Sequence, residues 1–399
     1  MKNINLKPQL EYFKHIVNSF PKSFLLQFLP MKTIDRGLLF AIAGLTIFGL
    51  VMMSSMSIAS SYEISQRNDF YFWRHFWHIL AGIPIFWIAL RFPLEKLRQL
   101  SVPIFLVGVI LLILTFVIGT DFGTTAKLWL RIGGFSFQPV EMMKLAVIIF
   151  LAAIFSSGKL TPDSIEGGFL PFAVALSIPA LLLIVQSDFG SLLVLTLTAA
   201  GMYFVAGAKV KHFFVGGAAL AFCATIVTLT VPYIGRRVNV FLNPDLDPLN
   251  TGFQIKQAMI AIGSGGWFGR GFQNSIQKFN YLPEVQSDTI FAAISEELGF
   301  FRILFLIAVY GFIAWRGYEV ALRTKNEFAK YLAVGITTWI VGQAFVNIAV
   351  NLALIPNTGI TLPFISYGGS SMLMTLAGCG ILLQISSLLP EKNQRRWYR

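Results

Sequence analysis

The sequence is poor in charged residues and has almost no cysteine. Only 13% of its 399 residues are Asp, Glu, Lys or Arg, whereas 55% are hydrophobic; soluble globular domains carry about 25% charged residues. The two cysteines, Cys223 and Cys379, both lie within apolar runs, which excludes a disulfide-stapled secreted domain. Motifs of the forms GxxxxGK(S/T) and HExxH are absent, so neither a P-loop nor that zinc-protease signature is present. We expect no organic cofactor.

The basic excess is spread along the chain and is not collected in one patch. The formal net charge is +12, a value that would first suggest a nucleic-acid-binding protein. Because Lys and Arg are not clustered on a soluble domain, we expect no nucleic-acid partner. The charge instead indicates the side of a membrane on which each loop lies.

Long apolar runs dominate the sequence. A run of about 20 apolar residues spans the hydrocarbon core of a bilayer as a helix, and ten such runs are present. They lie near residues 38–58, 72–92, 102–119, 142–157, 168–185, 189–207, 212–232, 300–318, 330–354 and 367–388. The sequence therefore predicts an all-α integral membrane protein with about ten transmembrane helices.

The distribution of charge between the loops predicts the orientation. An even number of spans places both termini on one side. The tails and loops of that side carry 20 Lys or Arg and 8 Asp or Glu, whereas the other side carries 11 of each class. The basic side is expected to be cytoplasmic. We thus predict a basic cytoplasmic tail over residues 1–35, a membrane domain over 36–390 and a second basic cytoplasmic tail over 391–399.

The connection between predicted helices seven and eight, about residues 233–298, is a long loop on the outer face. Loops of this length without a function are uncommon. It ends in an acidic cluster made of Glu284, Asp288, Glu296 and Glu297. Asp288 stands at the start of an apolar, helix-like run, and two interpretations are open. Ser287 or Asp288 caps that helix, or Asp288 has a raised pKa and accepts a proton from a sugar hydroxyl.

Two further places put charged residues at the outer ends of spans. Glu141 and Lys144 follow Gln138 and are three residues apart, so they share a helix face and can pair. That pair either orients its helix at the interface or borders a functional cavity. Asp188 lies in a very short turn, where it either caps the next helix or adds a third carboxylate to the outer face. Their common position favours one site for Glu141, Asp188 and Asp288.

The segment 356–371 carries no charge and is dense in Gly and Pro, and it contains Ser366 and Ser370. This composition is typical of tight turns with exposed backbone amides. Backbone N–H groups of that kind can line an anion or sugar site. The alternative is a re-entrant loop without a binding role.

Together these stretches resemble the SEDS family (shape, elongation, division and sporulation), which includes FtsW, RodA and SpoVE. The family patterns are R-W-I, Q-P-S-E-x-x-K, Q-P-D-x-G-T, L-P-E-x-x-T-D-F-I-F followed by E-E-L-G, and T-L-P-F-x-S-Y-G-G-S-S. Close versions of them follow one another in that order here, and the resemblance extends from Asp35 onward. The versions at residues 274–284 and 359–363 are most similar to the division type, FtsW.

The resemblance assigns the family's key acid to Asp288, its charged pair to Glu141 and Lys144, and a further acid to Asp188. Several uncharged positions depart from the family pattern, namely Val140, Ser187, Phe189, Ser191, Ser287 and Thr289. Every charged position is kept. The departures therefore concern substrate fit and rate more than the type of reaction.

What the resemblance implies is a peptidoglycan glycosyltransferase that polymerises lipid II into β-1,4-linked glycan outside the bacterial cytoplasmic membrane, at the division septum. Asp288 is the expected general base. The leaving pyrophosphate is expected to bind Lys144 and some of Arg131, Arg236, Arg237, Lys256 and Arg270. A divalent cation, Mg²⁺ or Mn²⁺, could assist with Asp288 or Asp188 as its ligand. Supporting roles are expected for Gln138, Glu284, Ser366 and Ser370.

The implied partners are lipid II, the growing glycan strand, an FtsI-like class B penicillin-binding transpeptidase and other divisome membrane proteins. A lipid II flippase is one alternative, but a transporter should carry ionisable groups near the bilayer midplane, between repeats. Here those groups lie at the outer ends of helices. A non-catalytic division scaffold is the other alternative, and the retention of all four charged positions argues against it.

Overall fold

A computed structural model gives the fold and describes residues 34–120, 127–133, 135–230 and 232–389. The two predicted tails lie outside the described residues, apart from residues 34 and 35. Over the described part, the chain forms fourteen α-helices and one short β-hairpin.

The helices follow one another with short connections except on the outer face. Their bounds are α1 Arg36–Met56, α2 Ile58–Ser65, α3 Phe70–Arg91, α4 Leu94–Gln99, α5 Ser101–Ile118, α6 Pro139–Phe155, α7 Leu170–Val185, α8 Phe189–Val205, α9 Val210–Thr230, α10 Pro232–Leu242, α11 Thr251–Gly265, α12 Ile290–Arg323, α13 Glu327–Asn351 and α14 Gly369–Ser387. The strands are β1 Leu130–Ile132 and β2 Phe135–Phe137, which pair antiparallel between α5 and α6.

The ten predicted spans coincide with α1, α3, α5 to α9 and α12 to α14. Among the described residues, six helices are long and apolar enough to cross a membrane by length and composition, and shorter apolar helices accompany them at Phe189–Val205 and Val210–Phe222. The helical prediction is therefore confirmed, and the protein is a multi-pass membrane protein.

The centre of the bundle is formed by α13 and α14. Of the most apolar window of each, 72% and 78% of the residues are buried, against 28% in α5 and 22% in the span containing α7. Helix α13 packs against α6, α8 and α12, and α14 packs along α3. A small residue permits the second approach, because a Cβ added at Gly380 of α14 would lie 2.5 Å from the Phe86 carbonyl oxygen of α3.

Helix α12 consists of two helical parts that meet at a bend. The first part begins at Ile290, at the predicted helix-like run, and at Gly299 φ is 74°, so the second part begins where the eighth predicted span begins. Glu296 and Glu297 lie just before the bend, and both side chains are buried. Their charges are compensated inside the protein, because Arg270 and Lys278 form ion pairs with them.

The outer segment 233–298 is largely helical and is not an irregular loop. It contains most of α10, all of α11 and the first turns of α12. Helix α11 is joined to a later part of the chain, because the Asn357 amide donates to Gln254 Oε1 at 2.7 Å. This bond brings α11 to the part of the chain around Gly359, which borders Asp288.

Candidate active site

Asp288 lies in the turn that enters α12, and its side chain is partly exposed. The residue in the capping position is Thr289, and no side chain makes a capping hydrogen bond there. Thr289 Oγ1 instead donates to the Pro283 carbonyl at 2.6 Å. The contact of the Asp288 carboxylate with Ser287 Oγ is long, 3.4 Å. The capping interpretation is therefore wrong for both Ser287 and Asp288, and the carboxylate is available for chemistry.

The chain just before Asp288 is held by the predicted Gly- and Ser-rich segment. Tyr367 N–H donates to the Gln286 carbonyl at 2.8 Å, and Ser366 Oγ donates to the Ser287 carbonyl at 2.5 Å. Ser366 Oγ also accepts from Leu362 N–H at 2.7 Å. Ser366 therefore has a backbone-holding role and connects two loops.

The backbone of Asp288 itself is held by two asparagines of α13. The side-chain amides of Asn347 and Asn351 donate to the Asp288 carbonyl oxygen at 2.8 and 2.9 Å. Asn347 also donates to the Ile360 carbonyl at 2.6 Å. The position of Asp288 is thus fixed through its main chain, and these bonds do not involve its carboxylate.

The electrostatic surroundings of Asp288 favour the neutral acid. Burial of the carboxyl among protein atoms is the largest cause that raises the pKa of Asp288 to about 7, and the negative charge of Glu284 raises the pKa as well. The positive charge of Arg237 lowers it. Arg237 donates to the Asn357 carbonyl at 3.2 Å. We call residues Asn357 to Thr361 the 357–361 loop. Gly359 of this loop borders the carboxylate, because a Cβ there would lie 3.9 Å from Asp288 Oδ2.

Glu141 and Lys144 form the predicted pair, and it is buried. Lys144 Nζ lies 2.9 Å from Glu141 Oε2, and both side chains are less than a tenth exposed. Lys144 also donates to Gln343 Oε1 at 2.7 Å, and the Gln343 amide donates to the Thr361 carbonyl at 3.1 Å. The buried pair is therefore connected to the 357–361 loop through Gln343.

Asp188 caps α8, which is one of the two interpretations that the sequence left open, and its carboxylate is buried. Its Oδ1 accepts from Ser191 N–H at 3.0 Å and so caps α8, while its buried Oδ2 has no hydrogen-bond partner. Its charge interacts with those of Lys144 and Glu141. The start of α8 abuts the 357–361 loop, since a Cβ at Gly190 would lie 2.5 Å from the Thr358 carbonyl oxygen. Asp188 therefore belongs to the buried charged group that also contains Glu141 and Lys144.

Gln138 and Ser370 connect helix starts in the same region. Gln138 N–H donates to Ser370 Oγ at 2.9 Å, and this bond joins the start of α6 to the start of α14. Ser370 is buried. The bond thus holds α6, which carries Glu141, to α14, which follows the segment that contains Ser366.

The structure separates the predicted phosphate-binding cations. Arg237 lies near enough to Asp288 to affect its ionisation. Lys256 pairs with Asp245 at the surface, and Arg270 pairs with Glu296 at 3.4 Å. Arg131 and Arg236 are exposed, Arg131 on the hairpin and Arg236 on α10. Arg237 is therefore the predicted cation that the geometry brings to the candidate base.

Sequence reasoning missed the uncharged amides Gln343, Asn347 and Asn351. They recur every four residues on α13, so they lie along one face of that helix. Polar side chains on one face of a membrane-spanning helix are a functional signal. None of the three residues is charged, so reasoning from charged residues did not identify them.

The candidate cation site can be tested against the residues present. In the part of the chain that the structure describes, no group of three or more His, Cys, Asp and Glu side chains could hold a metal ion. Mg²⁺ is often bound by one or two carboxylates together with substrate phosphates. Asp288 with Glu284 fits that second arrangement only, whereas Asp188 is next to the Lys144 ammonium and fits poorly.

Comparisons with known proteins identify relatives that cover most of this chain. A probable peptidoglycan glycosyltransferase FtsW of Methylococcus capsulatus is 39% identical over 360 residues, covering 89% of this chain and 90% of that one. One from Geobacter sulfurreducens is 38% identical, covering 90% and 98%. A chain of a peptidoglycan synthase complex that coordinates polymerization and crosslinking matches with a TM-score of 0.76, 27% identity and coverage of 92% and 99%.

The rod shape determining protein RodA of Thermus thermophilus has the same fold. Its structure matches with a TM-score of 0.67 and 25% identity over 89% of this chain and 97% of that chain. The FtsW/RodA/SpoVE family model, which describes a cell cycle protein, matches residues 36–390. The chain therefore belongs to the FtsW/RodA/SpoVE family of cell cycle proteins.

Proposed function

We propose that this protein is a peptidoglycan glycosyltransferase that polymerises lipid II on the outer face of the cytoplasmic membrane, with Asp288 as its general base. The observation that carries the assignment is an acid whose main chain is fixed by two hydrogen bonds and whose carboxyl, shielded by protein atoms, has a pKa of about 7. A general base works best when its pKa lies near the working pH. Relatives that cover most of the chain are named peptidoglycan glycosyltransferases.

The reaction transfers a glycosyl group with inversion. The acceptor hydroxyl oxygen forms a bond to the anomeric carbon of the donor, and the bond from that carbon to the polyprenyl pyrophosphate breaks. The acceptor proton goes to Asp288, and the electron pair leaves with the pyrophosphate. Because the donor is α-linked, inversion gives the β-1,4 linkage.

Arg237 is the residue best placed to bind the leaving pyrophosphate. A guanidinium presents several N–H donors and stays charged, so it stabilises negative charge that develops on phosphate oxygens. A divalent cation held by Asp288, Glu284 and the substrate's phosphates would supply further charge neutralisation. Exposed Arg236, Lys256 and Arg131 can attract the anionic substrate without touching the reacting atoms.

The membrane setting suits lipid-linked substrates and a membrane-bound partner. A class B penicillin-binding transpeptidase that cross-links the new strand is the proposed partner, since one structural relative comes from a complex that coordinates polymerization and crosslinking. The division septum is the proposed location, and both termini are proposed to be cytoplasmic. The similarity to FtsW chains supports the septal role.

The test is glycan-chain formation from lipid II by the full-length protein purified with its cognate transpeptidase, in the presence of Mg²⁺ or Mn²⁺. We expect Asp288→Asn to lower the rate at least about 100-fold, the size typical of a lost general base. Asp69→Asn is the matched control, because Asp69 is a carboxylate of the predicted outer side paired at the surface with Arg67. An active Asp288→Asn protein would remove the base assignment. A wild-type protein without polymer, beside an active control enzyme, would favour the flippase or scaffold.

A further inference from the structure

We propose that Asn347 is a positioning residue that fixes the separation between Asp288 and the 357–361 loop. This inference rests on the proposed function, because it assigns Asn347 a role through Asp288. The residue is uncharged, buried in α13 and outside every motif considered above.

The geometry uses the whole donor capacity of the Asn347 amide. A primary amide nitrogen has two hydrogens, and Asn347 Nδ2 donates to the Asp288 carbonyl at 2.8 Å and to the Ile360 carbonyl at 2.6 Å. Asp288 and Ile360 lie in segments that are far apart in the chain. One nitrogen atom therefore connects the base to the opposite wall of the site.

That wall carries the second functional group. The Asn357 carbonyl accepts from Arg237, and Gly359 borders the Asp288 carboxylate. A base and a group that binds the leaving pyrophosphate act on opposite sides of one anomeric carbon, so their separation must match the substrate. Displacement of a catalytic group by about 1 Å can lower a rate about 100-fold.

The neighbouring asparagine shows why Asn347 is the connecting residue. Asn351 Nδ2 also donates to the Asp288 carbonyl, at 2.9 Å, but its other bonds return to Asn347 on the same helix. Asn351 therefore holds Asp288 to α13 without reaching the 357–361 loop. Loss of Asn351 is expected to weaken one anchor of Asp288, whereas loss of Asn347 removes a side chain that bonds directly to both segments.

The experiment compares Asn347→Leu with a matched control in the purified complex with the transpeptidase. Gln384→Leu removes another buried amide that donates to a backbone carbonyl, that of Phe92 at 2.6 Å, between α14 and the end of α3. We measure kcat and KM for lipid II polymerisation and the thermal midpoint of each protein. For Asn347→Leu we expect kcat to fall about 10- to 100-fold with KM within about twofold. Gln384→Leu should show a similar loss of thermal midpoint with nearly unchanged kcat.

Each other outcome contradicts the inference. Equal kcat losses in the two variants at equal stability would mean that Asn347 is only structural. A raised KM with normal kcat would make it a substrate contact. Asn347→Ser, which keeps one donor, is used if the leucine variant fails to fold, and it should give an intermediate kcat. Asp288→Asn is assayed alongside: if it is inactive while the Asn347 variants are fully active, only the Asn347 inference fails, and if it is active the proposed function fails first.

Discussion

The main chain of Asp288 is held by close hydrogen bonds, whereas its carboxylate is held only weakly. Its carbonyl oxygen accepts from two amides, whereas its carboxylate makes one long contact with Ser287. Pre-organisation of this kind lets a group meet its substrate without rearranging at the moment of reaction. The acid is therefore held in place by bonds that leave its reactive atoms available.

The raised pKa of Asp288 predicts the pH dependence of the enzyme. A general base must be unprotonated, and a pKa of about 7 means that the base form is lost as pH falls through about 7. We expect kcat/KM, which reports ionisation in the free enzyme, to reach a plateau above about pH 8 and to fall about tenfold per pH unit below about pH 6.5. Steady-state polymerisation rates at constant ionic strength measure this profile.

The control for the pH profile is Asp69→Asn, which should retain the wild-type curve. A rate that is constant between about pH 5.5 and 8 would be incompatible with a base of this pKa. A lower midpoint in the presence of Mn²⁺ than in Mg²⁺ would instead indicate that the cation contacts the carboxylate, because a bound cation favours the ionised form.

Helix α12 has two parts with different surroundings. Before the bend at Gly299, residues Ile290 to Glu297 are buried in protein, and beyond it the helix exposes large apolar side chains such as Phe305. Gly299 is required at the bend, because φ is positive and a Cβ would lie 2.1 Å from Gly269 N. The bend at Gly299 therefore separates the helical part that follows Asp288 from the apolar helical part that begins at Phe300.

A buried ion pair ties the first part of α12 to the outer segment. Lys278 Nζ lies 3.0 Å from Glu297 Oε1, both side chains are fully buried, and Ser55 of α1 donates to the same carboxylate oxygen at 2.7 Å. We expect Lys278→Met to destabilise the protein by about 3–5 kcal/mol, since it leaves an uncompensated buried charge. The thermal midpoints of wild type and variant, measured on purified protein in the same detergent, report the loss of stability.

Two further variants serve as comparisons for Lys278→Met. The double variant Lys278→Met with Glu297→Gln should recover much of the stability, because it removes the unpaired charge as well. Lys330→Met, which breaks an exposed pair with Glu327 at 3.5 Å, should change stability by less than about 1 kcal/mol. Similar losses in Lys278→Met and Lys330→Met would show that burial of the pair does not matter.

The whole molecule shows which features hydropathy can and cannot reveal. The ten spans and the Glu141–Lys144 pair could be predicted, because lipid demands long apolar helices and a three-residue spacing places two side chains on one face. The burial of Lys278 and Glu297 could not, because it depends on an ion pair that forms across 19 residues of the chain. The choice of Arg237 among the predicted cations also depended on tertiary contacts.

Orientation is tested with single cysteines introduced after Cys223 and Cys379 are replaced by Ser. We expect Leu249→Cys, in the outer segment, to react with a membrane-impermeant thiol reagent in intact cells. Lys325→Cys, between α12 and α13, should react only after the membrane is opened. Gel-shift labelling of the two proteins measures the difference, and the reverse pattern would invert the proposed topology and place Asp288 in the cytoplasm.

The ends of the bundle are joined at the face opposite Asp288. Asp35, just before α1, forms an ion pair with Arg316 of α12 at 2.8 Å, and its N–H donates to Ser386 near the end of α14 at 3.1 Å. Asp35 and Ser386 are 351 residues apart, so a ribosome needs on the order of tens of seconds to make the second after the first. The start of α1 therefore gains its backbone bond to α14 only late in synthesis. Its carboxylate gains a cation earlier, once Arg316 of α12 has been made, so a chain released before α12 keeps the buried Asp35 charge without that partner.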